Sequence, residues 1–164
     1  MHRMSRENET RRQVDKQLSF VLYGAANRIM RMHRPFLEPL GLTFPQYLVV
    51  LELLDTSPQL VGKIGSKLGL DTSTITPILK RMEQSGLIAR KRDMQDERRV
   101  IVELTPAGQA LQTSVWAVSD QIMSACQITD SQADELREEL DRLGRPARPE
   151  EQLETMKSAP ETRR

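Results

Sequence analysis

The sequence of 164 residues predicts a mainly α fold with a small β-hairpin, and three observations predict it. Apolar residues recur at helical spacing, as in Leu18, Leu22, Ala25, Ala26, Ile29 and Met30, and later in Leu111, Val115, Val118, Ile122 and Cys126. Residues 87–92 and 98–104 alternate in period two around a charged turn, Asp93-Met94-Gln95-Asp96-Glu97. Capping residues and glycines punctuate these segments where helices should start and stop.

Taken in order, residues 1–12 are polar and are expected to form a flexible arm. A helix follows over about 14–33, ended or kinked at Pro35, because proline lacks the N–H and disfavours helix in the residue before it. Such a helix can seldom bury its stripe in a small domain alone, which suggests a dimer contact. Thr43 and Gln46 form a capping box with Pro45 in the first turn, opening a helix that stops before Pro58. A short helix over 61–68 ends at Gly69, and Gly62 and Gly65 weaken it by roughly 1 kcal/mol each relative to alanine. The next helix, about 74–84, buries Ile75, Ile78, Leu79 and Met82, contains Pro77, where a slight distortion is expected, and stops at Gly86. Thr105-Pro106 opens a helix reaching Cys126, with Trp116 and Tyr47 expected in the protomer or dimer core. Thr129 and Gln132 cap a last one bearing Ala133, Leu136, Leu140 and Leu143. Residues 145–164, rich in Pro, Glu and Arg, are expected to be a disordered tail.

Helix, turn, helix and hairpin in this order make a winged helix-turn-helix over about 43–105. The N- and C-terminal helices, about 13–34 and 106–144, remain for dimerisation. In such folds the second helix of the pair enters the major groove and the hairpin turn reaches the backbone or minor groove. The outer face of residues 73–84 carries hydroxyls, a cation and an amide, groups that suit base edges and phosphates. Ser73, Thr74, Thr76 and Lys80 are the expected major-groove contacts, with Arg81 near phosphates. At the wing, Arg98 is either held by Asp96 or reaches the minor groove, and Arg90, Lys91, Arg92 and Arg99 add phosphate contacts.

Net charge is only +1, so its distribution is more telling. Residues 1–34 hold 8 Lys/Arg against 3 Asp/Glu, residues 80–99 hold 7 against 4, and residues 130–154 hold 4 against 9. The positive segments suit a polyanion while the acidic one faces elsewhere, although mild patches of this kind are also ordinary solvated faces. The single cysteine, Cys126, excludes an intrachain disulfide and a thiolate metal site, and the two histidines show no ligand spacing. No metal or cofactor is expected. No apolar run approaches the roughly 18 residues of a membrane span, and the N-terminus lacks a secretory core, so a cytoplasmic location is the default. No paired carboxylates, nucleophile with base or phosphate-cradling glycine loop points to an enzyme. The rival to DNA binding is an interaction module in which hairpin and basic helix bind an acidic protein.

The stretches LTFPQYLVVLELL from Leu42 and ITPILKRMEQSGLIARKRDMQDERRVIVELTPAGQAL from Ile75 resemble the MarR family of bacterial winged-helix regulators. The family's wing pattern matches at Asp96-x-Arg98, then Leu104-Thr105 and Gly108, and the likeness covers about residues 17–143, within a domain of 13–144. Gln17-Leu18-Ser19-Phe20-Val21-Leu22-Tyr23 is similar to the organic hydroperoxide regulator (OhrR) branch. The resemblance implies a homodimer that represses transcription at a palindromic DNA operator and is released by an oxidant or small molecule. It also implies a sensing region of Ser19, Tyr23, His33, Phe44 and Cys126. Ser19 stands where that branch places its peroxide-sensing cysteine, and a serine hydroxyl cannot climb the sulfenic acid ladder. Either Ser19 is an engineered replacement or the chain answers another signal. The branch's tyrosine positions correspond to Tyr23, His33 and Phe44, of which one is tyrosine. Cys126 falls near that branch's partner cysteine, or is a small apolar side chain of its stripe. His33 is either part of a sensor or the last polar position of its helix.

Overall fold

The computed structural model describes residues 13–144, so the expected arm and tail lie outside the described residues. The chain divides into two compact units between Ala125 and Cys126.

In the first unit a short 3-10 turn, Val14–Lys16, precedes helix α1, Leu18–Leu37. This helix starts and ends later than the expected 13–34. Pro35 does not stop it, because Pro35 falls in the last turn, where one missing N–H removes a single bond near the end. The turn Glu38–Leu40 and Gly41 then reverse the chain, and Leu42 N donates to Leu37 O at 3.1 Å. Helix α2, Phe44–Asp55, opens on the expected capping box. Gln46 Oε1 accepts from Thr43 N at 2.8 Å and from the Thr43 hydroxyl at 3.1 Å.

Gln59–Leu60 forms a strand β1 that the sequence did not announce. It leads into α3, Val61–Leu68, and α4, Thr72–Gln84, which begins two residues earlier than expected and runs on through Pro77. Gly69 and Gly86 end these helices, both at positive φ. Gly65 lets them approach. An added Cβ there would lie 2.8 Å from Leu70 O and 3.5 Å from Ile75 Cγ2. The hairpin of β2, Ile88–Arg92, and β3, Val100–Leu104, is flanked by β1, so the antiparallel sheet order is β1-β3-β2. Gln59 pairs with Val102, and Arg90 pairs with Val102 from the other side.

The helix expected from Pro106 to Cys126 is broken into α5, Pro106–Gln109, and α6, Gln112–Cys126. Thr105 explains the first piece. Its hydroxyl donates to Gly86 O at 2.6 Å and accepts from Gly108 N at 3.2 Å, while Thr105 N donates to Leu87 O at 3.1 Å. At Gly108 an added Cβ would sit 2.1 Å from Leu87 O. The Leu-Thr-x-x-Gly pattern is therefore a stitch between the end of α4, the hairpin and α5.

The core joins α2 (Val49, Val50, Leu53), α3 (Ile64), α4 (Ile75, Leu79, Met82), the hairpin (Ile88, Val102) and α6 (Val115, Val118). Each such side chain, taken from water, contributes about 1.5–3 kcal/mol. Tyr47 lies in the protomer core, whereas Trp116 is exposed on α6, which leaves it only the dimer-core alternative. Among the described residues one carboxylate is buried with the core. Glu52 accepts from Lys67 Nζ at 2.6 Å and from Gln59 Nε2 at 2.7 Å, joining α2, α3 and β1. The bond to Glu52 holds the Lys67 ammonium protonated above its usual range.

In the second unit α7, Asp130–Gly144, starts on the expected box, with Thr129 N donating to Gln132 Oε1 at 2.9 Å. Leu136, Leu140 and Leu143 along it are exposed.

Candidate nucleic-acid interface

Helix α4 is aimed by its two ends. At the start, Asp71 Oδ1 accepts from Thr74 N at 2.7 Å and from the Ser73 hydroxyl at 2.6 Å. These bonds, the Ser73 hydroxyl first and the Thr74 N–H next, hold the Asp71 carboxyl below the usual carboxylate range. At the end, Leu87 N donates to Met82 O at 3.0 Å. Ile75, Leu79 and Met82 turn inward, which leaves Ser73, Thr74, Lys80 and Arg81 exposed and Thr76 half-buried. Lys80 and Arg81 form no ion pair among the described residues.

The wing turn is held by its own backbone. Asp93 N donates to Arg99 O at 3.0 Å, Gln95 N to Asp93 Oδ1 at 2.9 Å and Arg99 N to Asp96 O at 2.8 Å. Asp96 was expected to hold the Arg98 side chain if that side chain did not reach DNA. Instead its carboxylate pairs with Arg99 Nε at 3.2 Å and accepts only the backbone N–H of Arg98, at 3.1 Å. This is Asx-turn geometry, in which the Asp96 carboxylate takes the backbone N–H two residues on, and the Arg98 side chain stands exposed. The Arg98 guanidinium is left without an ion pair among the described residues.

Between α4 and the wing lies an open groove of about 760 Å³. Thr76, Arg90, Arg98 and Arg99 line it, together with Lys63 and Thr72, which sequence reasoning missed. Lys63 comes from α3, outside the polar face of α4 and the hairpin. Its signal was a lone cation on a weak helix. Lys91 and Arg92 stand on the exposed half of β2, with Lys91 paired to Glu103 across the strands. Four cations and two hydroxyls converging on one open groove suit a run of phosphates flanking base edges.

The sensing residues divide. His33 and Phe44 meet edge to face with centroids 4.8 Å apart, and Tyr47 lies 5.6 Å from His33. His33 is buried, and its Nδ1 donates to Ile29 O at 2.8 Å. Burial, and then the Asp120 carboxylate, push the Tyr47 phenol up. Ser19 and Tyr23 are exposed one turn apart on α1, and about 21 Å of helix separates Ser19 from His33. Phe44, but not Ser19 or Tyr23, lines a cavity of about 460 Å³ with Met30, Arg34, Leu37 and Leu42. Cys126, a free thiol of intermediate exposure, begins the second unit.

A profile of the MarR family matches residues 42–100. The organic hydroperoxide resistance transcriptional regulator of Bacillus subtilis (strain 168) is 41% identical over 110 residues, 67% of this chain and 75% of that protein. This chain belongs to the MarR family. The HTH-type transcriptional regulator MgrA of Staphylococcus aureus is 36% identical over 131 residues, 79% of this chain and 89% of its own. Among solved structures, reduced AbfR bound to DNA superposes with a TM-score of 0.67 at 34% identity, covering 84% of this chain and 98% of that one. The chain is accordingly a DNA-binding transcriptional regulator of the MarR family, and its groove lies on the winged helix-turn-helix that defines the fold. Among the described residues no single helix is long and apolar enough to cross a membrane.

Proposed function

We propose that this MarR-family chain is a homodimeric repressor of the cytoplasm, binding a pseudo-palindromic operator and released by a small ligand or an oxidant. The observation that carries the reading is the groove where Thr72 and Thr76 of α4 face Lys63, Arg90, Arg98 and Arg99. Ser73, Thr74, Thr76 and Lys80 approach base edges in the major groove, and Arg81 approaches phosphates. Arg98, free of Asp96, extends toward the minor groove, with Lys91, Arg92 and Arg99 on the backbone beside it. Two copies related by a two-fold axis set half-sites about one helical turn, ~34 Å, apart. The exposed apolar faces of α1 and α7 supply what such a pair would bury. The similarity to AbfR, whose structure holds DNA, supports the reading. For release, the cavity beside Phe44 and Arg34 has the size and mixed polarity of a small-ligand site, while Ser19 offers no thiol to oxidise.

Selection of duplexes from a random library by the full chain tests this. The expected product is an inverted repeat bound in the presence of excess non-specific DNA, with affinity falling steeply as salt rises. Arg98→Ala should weaken that complex by about 1–3 kcal/mol and leave the dimer intact. Selection of no common sequence, or affinity indifferent to salt, would instead point to an acidic protein partner.

A further inference from the structure

The groove holds the one buried side-chain nitrogen or oxygen among the described residues without a hydrogen-bond partner, Nε of Arg90. Its side chain is 18% exposed, and among the described residues its guanidinium reaches a single carboxylate, Glu83 Oε2, 3.5 Å from Nη1. That contact lies at the outer limit of a hydrogen bond. A guanidinium has five donors in a rigid fork and no acceptor, so at Nε this one has lost water without receiving an oxygen in return. The other cations of the interface differ. Lys63, Lys80, Arg81 and Arg98 have no ion pair among the described residues, and Lys91 has Glu103 on the exposed side of the sheet. Among the described residues Arg90 alone combines a largely covered side chain, a buried unmet donor and a single long carboxylate contact.

We propose that Glu83 is an internal stand-in for a DNA phosphate. In the free protein it holds the Arg90 fork within the groove, and on binding a backbone phosphate takes its place with two oxygens on the same fork. The proposal rests on the DNA-binding reading and adds a regulation of it. Glu83 competes with the nucleic acid for Arg90, so affinity for any duplex is set by the exchange.

The test measures four full-length proteins, wild type, Glu83→Gln, Arg90→Gln and the double variant, on a labelled duplex of mixed sequence at low salt by fluorescence anisotropy. Glu97→Gln, which removes a wing carboxylate that forms no ion pair among the described residues, gives the gain due to charge alone. Glu83→Gln is expected to tighten binding about three- to tenfold, beyond the gain from Glu97→Gln, and to give less than about a twofold change when Arg90 is already glutamine. Arg90→Lys is expected to lose most of what Arg90→Gln loses, because a point charge does not reproduce the fork. Equal gains from Glu83→Gln in both backgrounds, or no gain, would overturn the exchange while leaving the regulator reading in place. A wild-type protein that binds no duplex would overturn both. Thermal melts of each variant verify that the fold is retained.

Discussion

Helices α1 and α2 are both rich in apolar residues, and they meet opposite fates. Helix α2 buries Tyr47, Val49, Val50, Glu52 and Leu53, so it is wrapped by the winged lobe on nearly every side. Helix α1 has 20 residues yet buries only His33 and Leu37, near its C-terminal end, while Leu18, Phe20, Val21 and Tyr23 stand 46–70% exposed. The difference lies in which surface completes each helix. The lobe supplies its own second layer through α3, α4, the sheet and α6. The first half of α1 finds none within the first unit. The reading head is thus stable by its own packing, whereas the first half of α1 is left exposed, the face that the proposed dimer would cover.

The comparison can be broken most decisively at α1. Leu18→Asp combined with Val21→Asp should convert a dimer of 18.8 kDa chains to monomers in sedimentation. Operator affinity should fall by roughly a hundredfold, because the second half-site no longer binds as part of the same particle. The far-ultraviolet spectrum of the lobe should persist. A double variant that stays dimeric would refute the role given to α1.

Inside the lobe the largest effect is expected at the stitch. Gly108→Ala forces a methyl group against Leu87 O and Leu104 Cδ2, and should cost about 3 kcal/mol in urea unfolding. An unchanged midpoint would mean that α5 yields freely. A smaller loss, about 1 kcal/mol, is expected for Thr43→Ala, which removes half of the capping box of α2. Equal stability in thermal melts would show that box to be redundant.

The smallest effect has a pH signature. The folded-state pKa of Asp71 is depressed, so its contribution is full above the unfolded value. It is lost as pH falls through the folded one. The stability gap between wild type and Asp71→Ala should therefore be constant near neutrality and close below roughly pH 4. A gap that persists unaltered in acid would show that the aspartate contributes by something other than its charge.

What could be read in the sequence was what is decided locally. The boxes at Thr43 and Thr129 and the stops at Gly69 and Gly86 each depend on a few neighbouring residues, and the structure bears them out. Strand β1 escaped notice because two residues, Gln59 and Leu60, become a strand only by pairing with Val102 and Ile101, some forty positions away. The break after Gln109 was hidden for the same reason. Gly108 reads as a tolerable helix residue until Leu87 O is seen beside it. Pro35 leaves α1 intact because its effect depends on its distance from the end of the helix, a boundary that the tertiary structure sets. At the site, the types of residue were legible, whereas the partner of Asp96, the inclusion of Lys63 and Thr72 and the burial of Arg90 required the folded groove.

The sheet order β1-β3-β2 leaves β2 as a free margin, since its other side pairs with no strand among the described residues. An open margin of backbone donors and acceptors invites a strand from a neighbouring chain, the first step of aggregation. Arg90, Lys91 and Arg92 occupy three of its five positions. Arg90 and Lys91 are met by Glu83 and Glu103, so it is the long charged side chains along the margin, with Arg92 unpaired among the described residues, that discourage a second strand. The residues that suit a nucleic acid thus also blunt the edge of the sheet.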